Sequence, residues 1–345
     1  MSKMDLLKLI LIILLSGWQT PFPFLPPDEI SFIGYGVRGM GMGDASVAHC
    51  DDISAIIWNP AALALLPGLQ VALEHIPMFG GLGQMNGGGI GINLRKSMSL
   101  GIAYLRHQVN DIKKFGVLSG NRIDRDLNPQ LRSNGKPLGY FDVYQQQFYL
   151  TLARGWRWIL PRETWYSLPI PFELMTGINF KFFHHRIYGL DGIGLNSDLG
   201  LLAQVELNPE DSSLIPGRSF KIGVNIQDFA PTSVKFNTFN GHRDTFAVNF
   251  KFGVSYTESF ALWKSAITLA VDRNLIYHPV NHLGLEYNFN NLLFFRGGYK
   301  TEGSFSFGLG VRYELKDTRF AEINYAFVSH EINNTPYKIG LIINF

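Results

Sequence analysis

The feature that most constrains this chain is a period-two alternation of apolar and polar residues, which runs from Leu69 to the C-terminus. In residues 246–254, Phe, Val, Phe, Phe and Val share one face, while Ala, Asn, Lys and Gly share the other. Successive side chains of a strand point to opposite faces, so each such stretch predicts a strand with one apolar face. The same pattern returns at residues 305–313 and 339–345, where only Ile342 interrupts it.

About fourteen such segments follow one another, each near the ten residues that a tilted membrane strand needs, whereas soluble strands average about five or six. Charged residues make up 17% of the chain, against about 25% in soluble domains. The sequence therefore predicts an all-β fold, a transmembrane barrel of about fourteen antiparallel strands in the cell outer membrane. A soluble β-sandwich or large soluble barrel is the alternative. The charges expected inside the barrel are Lys251, Asp272, Glu286, Arg312, Glu322 and Lys338, and the tyrosines expected at the lipid interface are Tyr104, Tyr256, Tyr287, Tyr299, Tyr313 and Tyr325.

The first residues have the pattern of a secretory signal. Leu6 to Leu15 is apolar except for Lys8, and a run of about ten residues is too short to cross a bilayer as a helix. An N-terminal anchor helix is the alternative. We expect a signal peptide over residues 1–20, a plug over 21–68 and the barrel over 69–345.

Connector lengths indicate the orientation of the barrel. Residues 95–97, 288–291 and 316–318 are short connections that fit periplasmic turns, and the polar stretch 108–140 fits an extracellular loop. The aromatic stretch 156–171 is long, although strand parity assigns it to the periplasm. Either the strand count is off by one there, or this connection contacts a partner.

The last strand carries a C-terminal pattern made of Lys338, Gly340, Ile343 and Phe345. A polar residue, a glycine, spaced apolar residues and a final aromatic resemble the signal read by the outer-membrane barrel assembly machinery. We therefore expect that machinery as a partner, together with outer-membrane lipid and lipopolysaccharide.

Residues 34–67 do not alternate and are rich in glycine at their start. Aspartates 51 and 52 with Ser54 could cap a short helix, and Pro60 would kink it or start a second one. This segment resembles the N-terminal hatch of the FadL/PorV superfamily of outer-membrane proteins, with the Asn-Pro-Ala element as its most specific part. The matching residues are Gly39, Gly41, Gly43, Asp51, Asp52, Trp58, Asn59, Pro60 and Ala61.

The resemblance implies a barrel of fourteen strands around a hatch, which agrees with the strand count above. Residues 196–202, 221–228, 282–287 and 296–299 also look like strands of PorV/PorQ-type barrels. A PorV-like protein would act in a type IX-like secretion system as a surface docking or shuttle component, with secretion subunits or cargo as partners. The alternative is a FadL-like passive transporter of a hydrophobic ligand, whose hatch movement opens a lateral exit through the wall.

Other motifs give no catalytic, cofactor or metal site. The Gly34-x-Gly36-x-x-Gly39 match lacks the flanking strand and helix of a dinucleotide site, and His184 and His185 point to opposite faces of a strand. Cys50 is the single cysteine of the chain, next to His49, and has no orienting partner that would make it a nucleophile. The net charge of +2 gives no reason to expect nucleic acid. An outer-membrane lipase remains a third hypothesis.

Asn59 is the strongest single candidate for a functional residue. Its amide could bond the plug to the wall, although Asn-Pro could simply shape a turn.

Overall fold

A computed structural model describes residues 35–94, 98–160, 170–207, 218–230, 233–275, 279–315, 319–329 and 337–345. Within these residues the chain forms a single sheet of 16 strands. The expected signal peptide at residues 1–20 lies outside the described residues. No helix in the described ranges is long and apolar enough to cross a membrane. The strands are β1 Leu69–Met78, β2 Gly83–Leu94, β3 Met98–Lys114, β4 Gly139–Leu160, β5 Ile170–Ile187, β6 Leu190–Glu206, β7 Ser219–Gln227, β8 Ser233–Phe236, β9 Arg243–Thr245, β10 Asn249–Phe260, β11 Ser265–Asn274, β12 Asn281–Phe289, β13 Leu293–Lys300, β14 Ser304–Glu314, β15 Phe320–Ser329 and β16 Lys338–Asn344.

The sheet closes on itself. Strands β1 to β7 and β10 to β16 are joined in antiparallel order, and β1 pairs with β16 through Leu73 and Leu341. The short strands β8 and β9 form a hairpin attached to the edge of β6. The sequence prediction of a closed antiparallel barrel with 14 strands is therefore confirmed. Because the first strand pairs with the last, neither of these two strands has a free edge, as a strand protein in lipid requires.

Because side chains alternate between the two faces of a strand, every second residue faces the lumen. In β16, Lys338, Gly340 and Ile342 point inward and are buried, whereas Ile339 and Phe345 are exposed on the outside. The six charged residues expected inside the barrel all point into the lumen. Apolar side chains thus cover the outer surface, and the molecule is a multi-pass β-barrel of the outer membrane.

One predicted strand begins later than its alternation suggests. Strand β10 starts at Asn249, so Phe246 is not on the lipid-facing side. Its ring packs instead on that of Phe183, 5.1 Å away between ring centres. The reason is that the chain between β7 and β10 folds back as the β8–β9 hairpin and pairs with β6 at Gly192 and Phe236. The side chains of Phe183, Val234, Phe236 and Phe246 form a buried apolar cluster, which we call the phenylalanine cluster.

The connections also differ from the prediction. The bounds predicted for the connection over 156–171 are wrong, because β4 continues to Leu160, β5 begins at Ile170 and Trp156 pairs with Leu174 of β5. The polar loop expected over 108–140 is shorter, since β3 and β4 extend to residues 114 and 139. It contains α3 (Arg122–Leu127). The turn near residues 288–291 is present, whereas the other two tight turns lie outside the described residues.

Residues 35–67, directly before β1, lie inside the barrel. We call residues 35–67 the inner segment. It contains two short helices, α1 (Val37–Gly41) and α2 (Ala55–Trp58), followed by a 3₁₀ helix (Pro60–Leu65). Nearly every residue of this segment is buried, and the segment contacts strands on several sides of the lumen.

Candidate functional site

The candidate site is the contact between the inner segment and the barrel wall, where the motif residues of the sequence come together. Asn59 is fully buried, and its Nδ2 donates to the carbonyl oxygens of Val47 (2.9 Å) and Leu201 (3.1 Å). Its Oδ1 accepts the amide N–H of Ala61 at 3.1 Å. One side chain therefore links two parts of the inner segment to strand β6, which is the bond to the wall that the sequence predicts.

Wall amides satisfy the carbonyl groups at the C-terminal end of α2. Asn179 donates to the Ile56 oxygen at 2.6 Å, and Asn225 donates to the Trp58 oxygen at 2.8 Å. The last carbonyls of a helix have no partner within the helix, and leaving them buried without one is costly. Strands β5 and β7 thus supply the cap that a four-residue helix cannot provide itself.

The N-terminal end of α1 is bound by a wall carboxylate. Glu74 of β1 accepts the amide N–H groups of Gly36 (2.9 Å) and Val37 (3.0 Å). On another side, Asp272 of β11 accepts the N–H of Val47 at 2.6 Å. Amide groups at the start of a helix have no partner within the helix, so Glu74 fixes the start of α1, and Asp272 fixes the turn at Val47, against the wall.

Glycines bring the two backbones into direct contact. Gly43 has φ +65°, and a Cβ there would lie 2.8 Å from the Tyr299 nitrogen. A Cβ on Gly298 of β13 would overlap the backbone of Met42 and Gly43, and one on Gly177 of β5 would overlap Pro60 and Ala61. These positions have no room for a larger residue, so the wall is shaped around the inner segment.

Arg38 links the inner segment to strand β12 by ion pairs. Its guanidinium donates to both oxygens of Glu286, at 3.0 and 2.9 Å, and also to Asp51 and to Asp52 (3.3 Å). His49 lies 3.0 Å from the same guanidinium. Burial opposes ionisation of Asp51, but the neighbouring Arg38 outweighs it and lowers the pKa of Asp51 below its ordinary value.

The ion pairs continue along the wall. Arg296 donates to Glu286 at 2.6 Å and lies 3.4 Å from Glu322, and Arg312 donates to Glu322 at 2.8 Å. Alternating charges therefore run from the inner segment through β12, β13, β14 and β15. A cavity of about 240 Å³ opens beside them at the short-turn end of the barrel, lined among others by Arg38, Asp52, Gln70, Arg312 and Glu322.

These contacts also settle the roles of the acidic pair and the cysteine. Asp52 accepts the N–H of Ser54 at 2.8 Å in a local turn, whereas Asp51 bonds to Arg38, so neither carboxylate caps α2. Cys50 is buried, and burial raises the pKa of its thiol, which keeps it protonated and unreactive. Within the described ranges, no group of three or more His, Cys, Asp or Glu side chains could hold a metal ion.

The loop-side half of the lumen is apolar on one side. Ile76, Met78, Met85 and Leu105 of β1, β2 and β3 point inward, are fully buried, and share one packed cluster with Tyr35 of the inner segment. The phenylalanine cluster lies on another side, at β5 and the β8–β9 hairpin. The lumen therefore contains packed apolar clusters at β1–β3 and at β5 with the β8–β9 hairpin, and ion pairs along β12–β15.

Sequence reasoning identified the face of several contact residues but missed their partners. Glu286 and Asn225 occupy the polar face of an alternating strand, which is a sufficient signal that they point inward. Arg38 lies in a non-alternating segment, and nothing in its neighbourhood of glycines indicates a bond to Glu286, 248 residues away.

Comparison with known proteins gives likeness in structure only. No family model matches the chain, and no curated protein matches it. Among solved structures, the Pseudomonas putida toluene transporter TodX is 14% identical, with a TM-score of 0.44 over 90% of this chain and 97% of that one. The Ralstonia pickettii toluene transporter TbuX is 11% identical, with a TM-score of 0.44 over 90% and 97%. The KdgM porin is 8% identical, with a TM-score of 0.34 over 80% and 99%.

Proposed function

We propose that this barrel is a passive transporter of hydrophobic small molecules across the outer membrane. The observation that carries the proposal is the buried apolar cluster of Ile76, Met78, Met85 and Leu105, which packs against the inner segment at the loop side of the lumen and would be uncovered if that segment moved. A hydrophobic solute gains free energy by leaving water for such a surface, at about 25 cal/mol per Å² of apolar area. Binding sites for small apolar ligands are typically of this kind, with a few polar groups beside them.

The inner segment fills the direct route to the periplasm, so a bound solute would leave sideways or displace that segment. A sideways exit is supported by strand β6, which extends beyond its neighbour β7. One edge of β6 pairs along almost its whole length with β5. The other edge pairs with β7 only from Leu199 onward and with β8 only at Gly192 and Ile193. Among the described residues, 194–196 have no strand ladder on this edge. A wall with fewer hydrogen bonds opens at a lower free energy.

Uptake of hydrophobic solutes tests the proposal. Cells that express the protein, cells that lack it, and cells with Leu105→Gln would be supplied with a panel of labelled aromatic and aliphatic compounds. We expect uptake with the natural chain and a loss of about tenfold with Leu105→Gln, because a polar amide replaces a buried apolar side chain. Leu138→Gln in the exposed loop is the control. Equal uptake of every compound with and without the protein would refute transport.

A second candidate function is docking of exported proteins in a PorV-like secretion role. It is favoured by the loop over residues 115–138, where Val117, Ile123, Leu127 and Leu138 are exposed, because exposed apolar side chains grouped on a loop are typical of protein contacts. Co-purification of secretion subunits or cargo with the natural barrel, lost when residues 116–137 are replaced by a short Gly-Ser turn, would support this role. Recovery of the barrel without a stoichiometric protein partner would exclude it.

A further inference from the structure

The outer surface of β3, β4 and β5 changes from apolar to polar within one row of paired residues. Ile102, Leu150 and Phe180 form an exposed apolar row across the three strands, and Tyr104, Phe148 and Phe182 form the next row toward the extracellular loops. Aromatic side chains of this kind collect where the hydrocarbon core meets the lipid headgroups. These two rows therefore fix the level of the outer-leaflet headgroups on this side of the barrel.

The next two rows are polar. They are Arg106, Gln146 and His184, followed by Gln108, Tyr144 and Arg186. Gln146 donates to the Tyr104 hydroxyl at 2.8 Å and lies 3.1 Å from a ring nitrogen of His184. These bonds hold the polar rows directly against the aromatic row.

Two arginines lie on either side of one ring in these rows. The Arg106 guanidinium carbon is 5.0 Å from the centre of the Tyr144 ring, and Arg186 donates to the Tyr144 hydroxyl at 3.4 Å. Arg186 and His184 share Asp191 as an acidic neighbour, at 3.9 and 3.2 Å. Arg106 has no ion pair within the described part of the chain, and its buried Nε has no hydrogen-bond partner. A positive charge thus remains uncompensated at the headgroup level.

We propose that these polar rows, around Arg106, Tyr144 and Arg186, bind the phosphate group of a phosphorylated glycolipid in the outer leaflet. Guanidinium groups match phosphate in charge and in the geometry of paired hydrogen bonds. The acyl chains of the same lipid would lie along the Ile102 row and the Tyr104 row, so a single lipid molecule would contact both the apolar and the cationic surface. This site lies outside the barrel and is independent of what passes through the lumen.

Titration of the intact barrel with lipopolysaccharide, before and after removal of its phosphates, tests the proposal. Native mass spectrometry of the protein in detergent micelles would count the bound lipid. We expect the phosphorylated lipid to bind about tenfold or more tightly than the dephosphorylated lipid, because each charged hydrogen bond that is lost weakens binding by about this factor. The double variant Arg106→Gln, Arg186→Gln should lose that preference.

Arg154→Gln provides the matched control. Arg154 is an exposed arginine at the other end of β4, with its guanidinium 5.2 Å from the Trp156 ring, and its loss should leave lipid binding unchanged. Gel mobility before and after heating would show that every variant forms a folded barrel. Equal binding of the two lipids, or an equal loss with Arg154→Gln, would overturn the proposal. Competition by inorganic phosphate as strong as by the lipid would assign the site to a soluble anion instead.

Discussion

Strand β12 holds the inner segment through ion pairs, whereas strands β5 and β7 hold it through neutral amides. On the charged side, Arg38 depends on Glu286, which also serves Arg296. On the amide side, Asn179 and Asn225 each donate to a different carbonyl. The charged side is therefore a coupled network, in which one removal affects several partners, while the amide side is a set of separate bonds with small individual effects.

This difference bears on how the inner segment would move. An ion-pair network loses much of its stability when one charge is neutralised, because several buried charges then lose a partner at once. Each amide bond to a helix carbonyl involves only its own donor and acceptor, so the loss of one bond leaves the others in place. If transport involves movement of the inner segment, the charged side is where it would be released, and the amide side is where it would pivot.

The largest effect is expected from Glu286→Gln. The substitution keeps the shape of the side chain but leaves Arg38 and Arg296 facing a neutral group, at a cost of about 3 to 5 kcal/mol for a buried pair. Urea unfolding of the barrel in lipid vesicles would measure this cost, and maleimide labelling of buried Cys50 would report release of the inner segment. Glu314→Gln is the control, since Glu314 is exposed at the end of β14. If both variants behave alike, the ion pairs do not hold the segment.

A smaller effect is expected from Gly298→Ala. Its methyl group would overlap the backbone of Met42 and Gly43, and overpacking of this kind costs about 1 to 3 kcal/mol. The neighbouring Gly297 has nothing within 4 Å of an added Cβ, so Gly297→Ala is a control one residue away. Cys50 labelling should rise in the first variant alone. Equal labelling in both would show that the wall can yield without disturbing the inner segment.

Asn225→Ala should have a still smaller effect, because it removes one neutral hydrogen bond to the Trp58 carbonyl. The expected loss in unfolding free energy is about 1 kcal/mol. Asn110→Ala, on an exposed position of β3, is the control. A loss as large as that of Glu286→Gln would remove the distinction between the two sides, since the amide bonds would then also act as a coupled unit.

The barrel can be predicted from sequence because the signal for each strand, the alternation of apolar and polar residues, lies within that strand. Alternation along each strand fixes which residues face lipid, and this alone assigns Lys251, Glu286 and Glu322 to the lumen. The boundaries were less predictable. Trp156 looks like a connection residue because tryptophans are frequent at rims, but the pairing of Trp156 with Leu174 extends the strand beyond it.

The contacts between the inner segment and the wall could not be predicted in the same way. They join residues far apart in sequence, such as Arg38 with Glu286, and a single sequence gives no sign of such a pairing. Asn59 was an exception, because an amide before a proline suggests a local turn or a backbone bond, yet its acceptor on β6 follows only from the closed barrel. For Phe246 the sequence is misleading. Regular alternation predicts that the strand includes Phe246, but β10 begins only at Asn249 and Phe246 is buried in the phenylalanine cluster.

The smallest effect is expected from Asp51→Asn, because Asp51 is 43% exposed and solvent weakens its pair with Arg38. The loss in unfolding free energy at pH 7 should be below about 1 kcal/mol.

The pH dependence of this loss is the sharper test of the Asp51–Arg38 pair. Arg38 lowers the pKa of Asp51 in the folded barrel, so the pair contributes fully above the ordinary carboxyl pKa of about 4. The contribution of the pair to stability is lost as the pH falls through the lowered pKa that Asp51 has in the folded barrel. The difference in unfolding free energy between the natural chain and Asp51→Asn should thus stay constant from pH 7 to pH 5 and shrink in stronger acid, whereas Asp126→Asn in the exposed loop should show no difference at any pH. A difference that disappears already between pH 7 and pH 5 would contradict the assignment of this stability to the Asp51–Arg38 pair.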